Sequence, residues 1–253
     1  MHSTPLTGSV ALVTAASRGI GRAIALDLAA HGADVALGVR DPEGATTLAD
    51  EIRALGRRVT TVRMDVTDLA ACRRAIDAMV DELGTIDVLV NNAGGGIVED
   101  ALDVTEEHFD AVWALTTKST FFVSQHVAKH MRNAGGGSIV NIASQAGLVA
   151  LPGESVYCTS KAAVIHLTKC LAVEWGQYGI RVNAVAPTFI ETDGTESALS
   201  DEAFRQDTVE RIAALHRIGR PEEVASAVTF LAGDGASLIT GTALPIDGGW
   251  TAR

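Results

Sequence analysis

The chain has 253 residues, of which 47% are hydrophobic and 20% are charged, so it can bury a full core. Its formal net charge of -11 at pH 7 offers no attraction to nucleic acid or to anionic membranes, and we expect neither as a partner. Cys72, Cys158 and Cys170 lack metal-ligand spacing, residues 1–5 carry no basic region, and the apolar stretches are too short to span a bilayer. These features predict a cytoplasmic protein with reduced thiols.

Short apolar runs alternate with longer helical patterns along the chain. The predicted strands cover residues 10–14, 35–39, 59–64, 86–90, 138–142, 182–185 and 243–246. The predicted helices run from a glycine-rich turn to about residue 31, and over residues 43–55, 69–83, 106–132, 155–178 and 221–232. Strands that are apolar throughout and separated by helices indicate a parallel sheet covered on both faces. We therefore predict an α/β fold, a Rossmann-like doubly wound parallel sheet, with residues 1–253 forming one dinucleotide-binding and catalytic domain.

A glycine-rich turn, TAASRGIG over residues 14–21, joins the first strand to the first helix. Gly19 and Gly21 allow the backbone to approach a pyrophosphate at the helix N-terminus. Arg18 lies in this turn and Arg40 lies just beyond the second strand, where an adenosine ribose would bind. A 2′-phosphate needs a cation there, whereas a 2′-hydroxyl is bound by an acid, so the pattern favours NADP(H). Taken separately, the glycines also suit an ordinary tight turn and the arginines a solvated surface.

Tyr157 and Lys161 are four residues apart on a predicted helix and therefore share one face. A phenol is a poor acid–base group at neutral pH, and a nearby ammonium is expected to lower its pKa. Ser144 follows the fifth strand, at the sheet edge where ligands bind in this fold, and can stabilise a developing alkoxide. The pair by itself also suits an exposed helix surface, but together with the turn and the serine it predicts a catalytic site.

The chain resembles the short-chain dehydrogenase/reductase family over essentially its whole length. The matching segments are residues 14–21, 65–66, 91–94, Ser144, the pair Tyr157 and Lys161, residues 187–192 and residues 240–249. The resemblance implies a homotetramer, formed through the two long helices and the C-terminal segment. It also implies that the cofactor contacts Thr14, Ser17, Arg18, Gly19, Ile20, Gly21, Arg40, Asp65, Val66, Asn91, Ala93, Gly94, Tyr157, Lys161, Pro187, Ile190 and Thr192.

Three positions depart from the family pattern. Ala15 replaces the first glycine of the turn, and Thr188 replaces the glycine that usually follows Pro187. Thr116 stands where the family usually has the asparagine that holds a proton-relay water behind the lysine. We count Thr116 among the catalytic residues, with a relay that its main-chain carbonyl preserves.

The resemblance predicts an NADP(H)-dependent carbonyl reductase or alcohol dehydrogenase acting on a small ketone, sugar or polyol. The residues expected to line the substrate pocket are Gly95, Gly96, Gln145, Glu154, Phe189, Glu191 and the segment around residues 193–208. An NAD-dependent polyol dehydrogenase, a 3-oxoacyl-carrier-protein reductase and a weakly catalytic NADP-binding sensor stay open as alternatives. We expect no metal, because His126 and His130, although four residues apart, show no acidic or third ligand beside them in the sequence.

Overall fold

The computed structural model describes residues 6–252. Residues 1–5, on which the expectation of no secretory signal rests, and Arg253 lie outside this range. None of the helices in the described range is both long enough and apolar enough to cross a membrane.

The described residues build a seven-stranded parallel sheet, which confirms the predicted doubly wound α/β fold. Its strands are β1 (Val10–Thr14), β2 (Asp34–Val39), β3 (Val59–Arg63), β4 (Val88–Asn91), β5 (Gly137–Ile142), β6 (Ile180–Pro187) and β7 (Ala243–Ile246). Their spatial order is β3-β2-β1-β4-β5-β6-β7. The order reverses between β1 and β4, where Leu12 pairs with Leu89. In open α/β sheets such a reversal creates the crevice that binds ligands.

Helices cover both faces of the sheet, because each inner strand is apolar on both sides. The helices are α1 (Gly19–Ala30), α2 (Thr46–Ala54), α3 (Leu69–Leu83), α4 (Glu106–Trp113), α5 (Ser119–Ala134), α6 (Ser155–Trp175), α7 (Glu196–Leu199), α8 (Glu202–Arg211) and α9 (Pro221–Ala232). One core packs α1, α2 and α9 against the sheet, and the other packs α3, α5 and α6. Both cores include side chains of β1 and β4, so the two strands beside the crevice are packed on both faces.

The helix predicted over residues 106–132 is interrupted in the structure. Residues 114–118 form a π-helical turn between α4 and α5. Three hydroxyls there bond carbonyls four residues back: Thr116 to Val112, Ser119 to Leu115 and Thr120 to Thr116, each at 2.6 Å. Such side-chain bonds compete with the helical ladder and distort it. The apolar periodicity continues through the turn, which is why it predicts one helix.

The sequence also does not predict α7 and α8, which lie in the segment assigned to the substrate pocket. Asp201 caps α8 by accepting hydrogen bonds from the main-chain N–H groups of Ala203 and Phe204. The helix carries few apolar residues, so periodicity gives little signal for it. The capping acid is the one local feature that marks its start.

Candidate active site

A cleft of about 1060 Å³ runs along the carboxyl edge of the sheet at the β1–β4 reversal. It is large enough for a dinucleotide together with a small substrate. Sixteen predicted site residues line it: Ser17, Arg18, Gly19, Ile20, Gly21, Arg40, Asp65, Val66, Ala93, Gly94, Ser144, Tyr157, Lys161, Pro187, Ile190 and Thr192. Thr14, Asn91 and Thr116 are buried and are not part of its lining.

The turn between β1 and α1 presents the helix N-terminus to the cleft. Arg18 is the N-cap residue, and its side chain makes no capping hydrogen bond, so the first-turn N–H groups remain available to an anion. Gly21 packs so closely that an added Cβ would lie 2.6 Å from the Ala15 carbonyl oxygen. Ala15 itself has φ +52°, a left-handed conformation that favours glycine. The turn therefore keeps its shape at a cost in backbone strain.

Thr14 and Asn91 lie behind the cleft rather than in it. The Thr14 hydroxyl accepts the main-chain N–H of Asn92 at 2.9 Å, which joins the end of β1 to that of β4. The Asn91 amide donates to Ser124 Oγ and to Asn141 Oδ1, both at 2.8 Å. Both residues thus support the floor of the cleft through buried hydrogen bonds.

Asn92 is a cleft residue that the sequence analysis does not single out. Its amide donates to the carbonyls of Thr14 and Ala15, both at 3.1 Å, and so holds the glycine-rich turn in place. The adjacent pair Asn91-Asn92 in the sequence is the signal that points to it. A strand end places one of two adjacent side chains inward and the other outward, and the outward one faces the cleft.

Arg18 and Arg40 are exposed and line one end of the cleft, the end beside β2 and β3. Asp65 also lies there, with Oδ1 accepting from the Thr67 hydroxyl at 2.7 Å and from the Thr67 N–H at 3.0 Å. These two bonds, aided by the charge of Arg40, hold the pKa of Asp65 below its usual value. This end therefore combines two cations with an ionised acid.

The opposite end of the cleft brings Ser144, Tyr157 and Lys161 together. The Ser144 hydroxyl donates to Gln145 Oε1 at 2.8 Å and accepts the main-chain N–H of Ala146 at 3.1 Å. Lys161 Nζ donates to the carbonyl oxygen of Ile142 at 2.7 Å and lies 5.7 Å from the centroid of the Tyr157 ring. All three side chains are positioned by β5 and by the first turns of α6.

The electrostatics of this end differ from the expectation that Lys161 lowers the pKa of Tyr157. Burial raises the pKa of Tyr157 to about 12; Ser144 opposes the rise, and the charge of Glu154 adds to it. Burial also lowers the pKa of Lys161 to about 8. The expectation fails because desolvation dominates and the ammonium is bonded to a carbonyl. The phenol accordingly carries its proton at neutral pH.

Thr116 packs beside the lysine without offering it a hydroxyl. Its hydroxyl donates to the Val112 carbonyl, and its carbonyl accepts from the Thr120 hydroxyl. Its methyl group faces the main chain of Gly94, 3.7 Å from where a Cβ on that glycine would lie. The same Cβ would lie 2.8 Å from Lys161 Nζ. The side chain thus presents an apolar surface to the space behind the lysine.

The wall beside Tyr157 carries an acid without a partner. Glu154 lines the cleft three residues before Tyr157, and no other described residue bonds its carboxylate. Burial raises its pKa above the usual value. Thr188 also lines the cleft, and its buried hydroxyl has no partner among the described residues. Two unpaired polar groups in one wall indicate a site built for a polar ligand.

A family model described as enoyl-(acyl carrier protein) reductase matches residues 14–251. The chain belongs to the short-chain dehydrogenase/reductase family. Its sequence is 41% identical over 248 residues to a D-threitol dehydrogenase of Mycolicibacterium smegmatis, covering 98% of this chain and 95% of that protein. It is 44% identical over 246 residues to a 3-oxoacyl-[acyl-carrier-protein] reductase of Thermotoga maritima, covering 96% and 98%.

A solved structure extends the likeness of this short-chain dehydrogenase/reductase to the fold. A gluconate 5-dehydrogenase from Burkholderia cenocepacia, in complex with NADP and tartrate, superposes with a TM-score of 0.95. That protein is 35% identical, and the alignment covers 99% of this chain and 98% of the other. The family and these relatives support oxidoreduction between a carbonyl and an alcohol with a nicotinamide cofactor.

The cleft of this short-chain dehydrogenase/reductase fits such a cofactor. Its uncapped helix N-terminus suits a pyrophosphate. At the other end, a Cβ on Gly96 would lie 2.9 Å from the Tyr157 Cβ, so only glycine lets this loop lie against Tyr157. The close approaches at Gly94 and Gly96 pack this loop against α6 beside Lys161 and Tyr157.

Proposed function

We propose that the protein is an NADP(H)-dependent oxidoreductase that interconverts a small ketone and a secondary alcohol, with Tyr157 as the general acid–base. One observation carries the proposal: Ser144, Tyr157 and Lys161 line one end of a cleft whose other end presents Arg18 and Arg40. The cleft volume of about 1060 Å³ suits a dinucleotide between these two groups of residues. We further propose that residues 1–253 act as one domain.

In the proposed reaction each side chain has a distinct part. The Ser144 hydroxyl orients and polarises the substrate oxygen, exchanging its bond to Gln145 for one to that oxygen. Tyr157 holds its proton at neutral pH and donates it to the oxygen during reduction. Lys161 positions the ribose of the cofactor, and its ammonium can return a proton to Tyr157 and regain one from bulk solvent. When bound, the cofactor supplies the hydride.

The proposed preference for NADP(H) rests on the charge at the adenosine end. Arg18 and Arg40 are exposed cations in the lining, and the side chain of Val39 is buried where an acid would select a ribose hydroxyl. An arginine fork matches the oxygens of a 2′-phosphate. The NADP bound by the similar gluconate 5-dehydrogenase agrees with this preference.

The substrate that we propose is a small polyhydroxy compound. The unpaired Glu154 carboxylate lies in the substrate half of the cleft and can accept a hydrogen bond from a second hydroxyl. Gln145 Oε1 is a further acceptor beside Ser144. The similar proteins named for D-threitol and gluconate act on molecules of this kind.

The similarity to a 3-oxoacyl-carrier-protein reductase makes that activity the second candidate. An acidic carrier protein would be repelled by this chain, because its net charge is -11. In the short turn that follows α6, Tyr178 stands where such reductases often have arginine, and Arg132 lies over its ring at 5.6 Å. The charge therefore favours a free small molecule.

We propose a homotetramer located in the cytoplasm. Large apolar side chains are exposed on α6, on α9 and near β7: Val173, Phe230, Leu238 and Leu244. Such side chains usually become buried in subunit contacts. Cys72, Cys158 and Cys170 are free thiols, which suits a reducing compartment. Light scattering after gel filtration measures the oligomer, and a monomeric mass would contradict the tetramer.

Oxidation of NADPH, followed at 340 nm with a panel of hydroxyketones and simple ketones, tests the function. We expect turnover by the wild type and a loss of more than about a thousandfold in Tyr157→Phe, with NADPH still bound. Normal turnover by Tyr157→Phe would refute the assignment. Tight NADPH binding without turnover of any ketone, and with carrier-linked substrates also inert, would favour the sensor.

Glu154→Gln, which keeps the size of the side chain, tests the substrate class. We expect it to raise KM for hydroxyketones about tenfold, the loss of one charged hydrogen bond, and to leave simple ketones unaffected. An equal effect on both substrate types would exclude a hydroxyl contact at Glu154. This test is independent of the Tyr157→Phe test, because turnover of simple ketones measures the oxidoreductase reaction without a contact to Glu154.

A further inference from the structure

A cluster of metal-ligand side chains lies outside the cleft, between α3 and α5. Asp77 projects from α3, and His126 and His130 project from successive turns of α5. The Nε2 atom of His126 lies 2.7 Å from Asp77 Oδ1, and that of His130 lies 2.9 Å from the same oxygen. The candidate ligand atoms all lie within 4.8 Å of one another. The acid that the sequence does not show beside the two histidines is therefore supplied by another helix.

The arrangement is that of a preformed coordination site. Histidines four residues apart on a helix share one face, and here both rings turn Nε2 toward a single point. Bonds of about 2.0–2.2 Å from a central ion would place these ligand atoms roughly 3.3 Å apart. The nitrogen–oxygen separations would thus need to widen by only about half an ångström, which surface side chains accommodate by small rotations.

The surroundings of His126 also permit metal ligation. Ligation at Nε2 requires the proton of the ring to move to Nδ1. Nδ1 of His126 is buried and has no hydrogen-bond partner among the described residues, so no existing bond opposes that tautomer. The His126 side chain is 15% exposed and that of His130 29%, whereas Asp77 is 53% exposed, so an ion can enter from the side of the acid.

We propose that Asp77, His126 and His130 form a binding site for a late first-row divalent cation, with Zn²⁺ as the reference ion. Two imidazoles and a carboxylate are ligands that zinc commonly takes, and water completes the tetrahedron. Nitrogen-rich sites favour Zn²⁺, Ni²⁺ and Cu²⁺ over Mg²⁺ and Ca²⁺, which prefer oxygen ligands. The site is separate from the cleft, and the proposed oxidoreduction does not require it.

The bound ion would join two helices that approach the active site. α3 begins four residues after Asp65, and α5 begins directly after the π-helical turn that contains Thr116. A cation held by both helices replaces two hydrogen bonds on one carboxylate by three coordinate bonds. Because the unfolded chain does not hold the three ligands together, the ion stabilises the folded state.

Equilibrium dialysis of the tag-free full chain against Zn²⁺ tests the site, with thermal unfolding measured in parallel. We expect one Zn²⁺ per chain and a saturable rise in the unfolding temperature. His130→Ala and Asp77→Asn should each weaken Zn²⁺ binding at least about tenfold and remove the rise. Both positions are partly exposed, and unfolding without metal shows whether each variant is folded.

His108→Ala is the matched control. His108 pairs with the Glu99 carboxylate at 2.9 Å, but no second histidine from residues 6–252 joins it in a ligand cluster, so this variant should bind Zn²⁺ as the wild type does. Absence of zinc binding in the wild type would overturn the proposal, and so would unchanged binding in folded His130→Ala and Asp77→Asn. A Co²⁺ derivative with a visible absorption band that is lost in His130→Ala would support it independently.

Discussion

The Lys161 ammonium donates a hydrogen bond to the Ile142 carbonyl across 2.7 Å, and so ties helix α6 to the end of β5. The lysine side chain is only 3% exposed, and burial lowers its pKa to about 8. The folded protein therefore keeps a charged lysine at a buried position, where the loss of hydration disfavours the charge. Sites that carry function often hold such groups at the expense of stability.

Replacing Lys161 with Met should therefore stabilise the protein at pH 7 while removing the proposed ribose contact. We expect a gain of about 1–3 kcal/mol in the free energy of unfolding, less the lost bond to Ile142. The measurement is urea unfolding of both proteins. Lys169→Met, at an exposed position on the same helix, should change the free energy by less than about 0.5 kcal/mol.

The gain from Lys161→Met should depend on pH in one direction. Below pH 8 the lysine is charged in both states, and the full cost of burying the charge is present. Between pH 8 and the ordinary lysine value of 10.5 the unfolded chain holds more protons than the folded one, so the wild type gains stability as pH rises. The difference between the two proteins should shrink over that window. A constant difference would show that the lysine is not buried as a cation.

Ala15 provides a test of strain in the nucleotide turn. At φ +52° a residue with a Cβ costs about 1 kcal/mol or more, and Ala15→Gly removes that cost while adding freedom to the unfolded chain. We expect a net gain of about 0.5–1 kcal/mol in thermal or urea unfolding. Ala16→Gly, at a buried neighbour outside the left-handed region, should instead destabilise the protein. If Ala15→Gly destabilised the protein as Ala16→Gly does, the proposed backbone strain at Ala15 would be wrong.

Arg40→Asp should shift the cofactor preference from NADPH toward NADH. Losing one charged contact with the 2′-phosphate and adding repulsion should weaken NADPH binding by about 10- to 100-fold and spare NADH. Fluorescence titration with both cofactors measures the two affinities. Arg74→Asp is the control: it changes the net charge by the same amount at an exposed position of α3 outside the cleft lining. It therefore distinguishes the loss of a local contact from an effect of the overall charge. Equal losses in both variants would exclude the contact.

Thr116→Val tests whether the threonine hydroxyl takes part in the proton path. That hydroxyl donates to Val112, and the methyl group faces Gly94 and the lysine, so we expect kcat to remain within about tenfold of the wild type. The missing helix bond should cost about 1 kcal/mol of stability, which thermal unfolding measures. A fall in kcat beyond a hundredfold, with the fold intact, would show that the hydroxyl moves protons.

The sheet is predictable because its strands are short, apolar and bounded by turns. The predicted limits of β1 and β7 agree with the structure, and β6 extends further at both ends because Ile180 and Pro187 continue its ladder. Within the cleft, the turn and the pair Tyr157 and Lys161 are local patterns, and both contribute residues to its lining. These features depend on residues that are neighbours along the chain, and the periodicity and spacing of the sequence therefore indicate them.

Features that depend on contacts between distant segments are not predictable in this way. The inward orientation of the Asn91 side chain is fixed by its hydrogen bond to Asn141, which lies 50 residues away in the sequence. Asp77 meets His126 across 49 residues, so a search along the sequence finds no third ligand. The pKa of Tyr157 is likewise set by burial, which becomes visible only when the walls of the cleft are assembled.

The helical segment α7–α8 has its own small apolar cluster, with Leu199, Ile212, Ile218 and Trp250 at its centre. This cluster packs against Phe189 beside the cleft and is separate from the two cores that hold the sheet. The wall of the cleft at Phe189 therefore packs on a cluster of its own, apart from the apolar side chains that hold the sheet. A substitution inside this cluster would reshape the wall beside Phe189 while the packing of the sheet stays as it is.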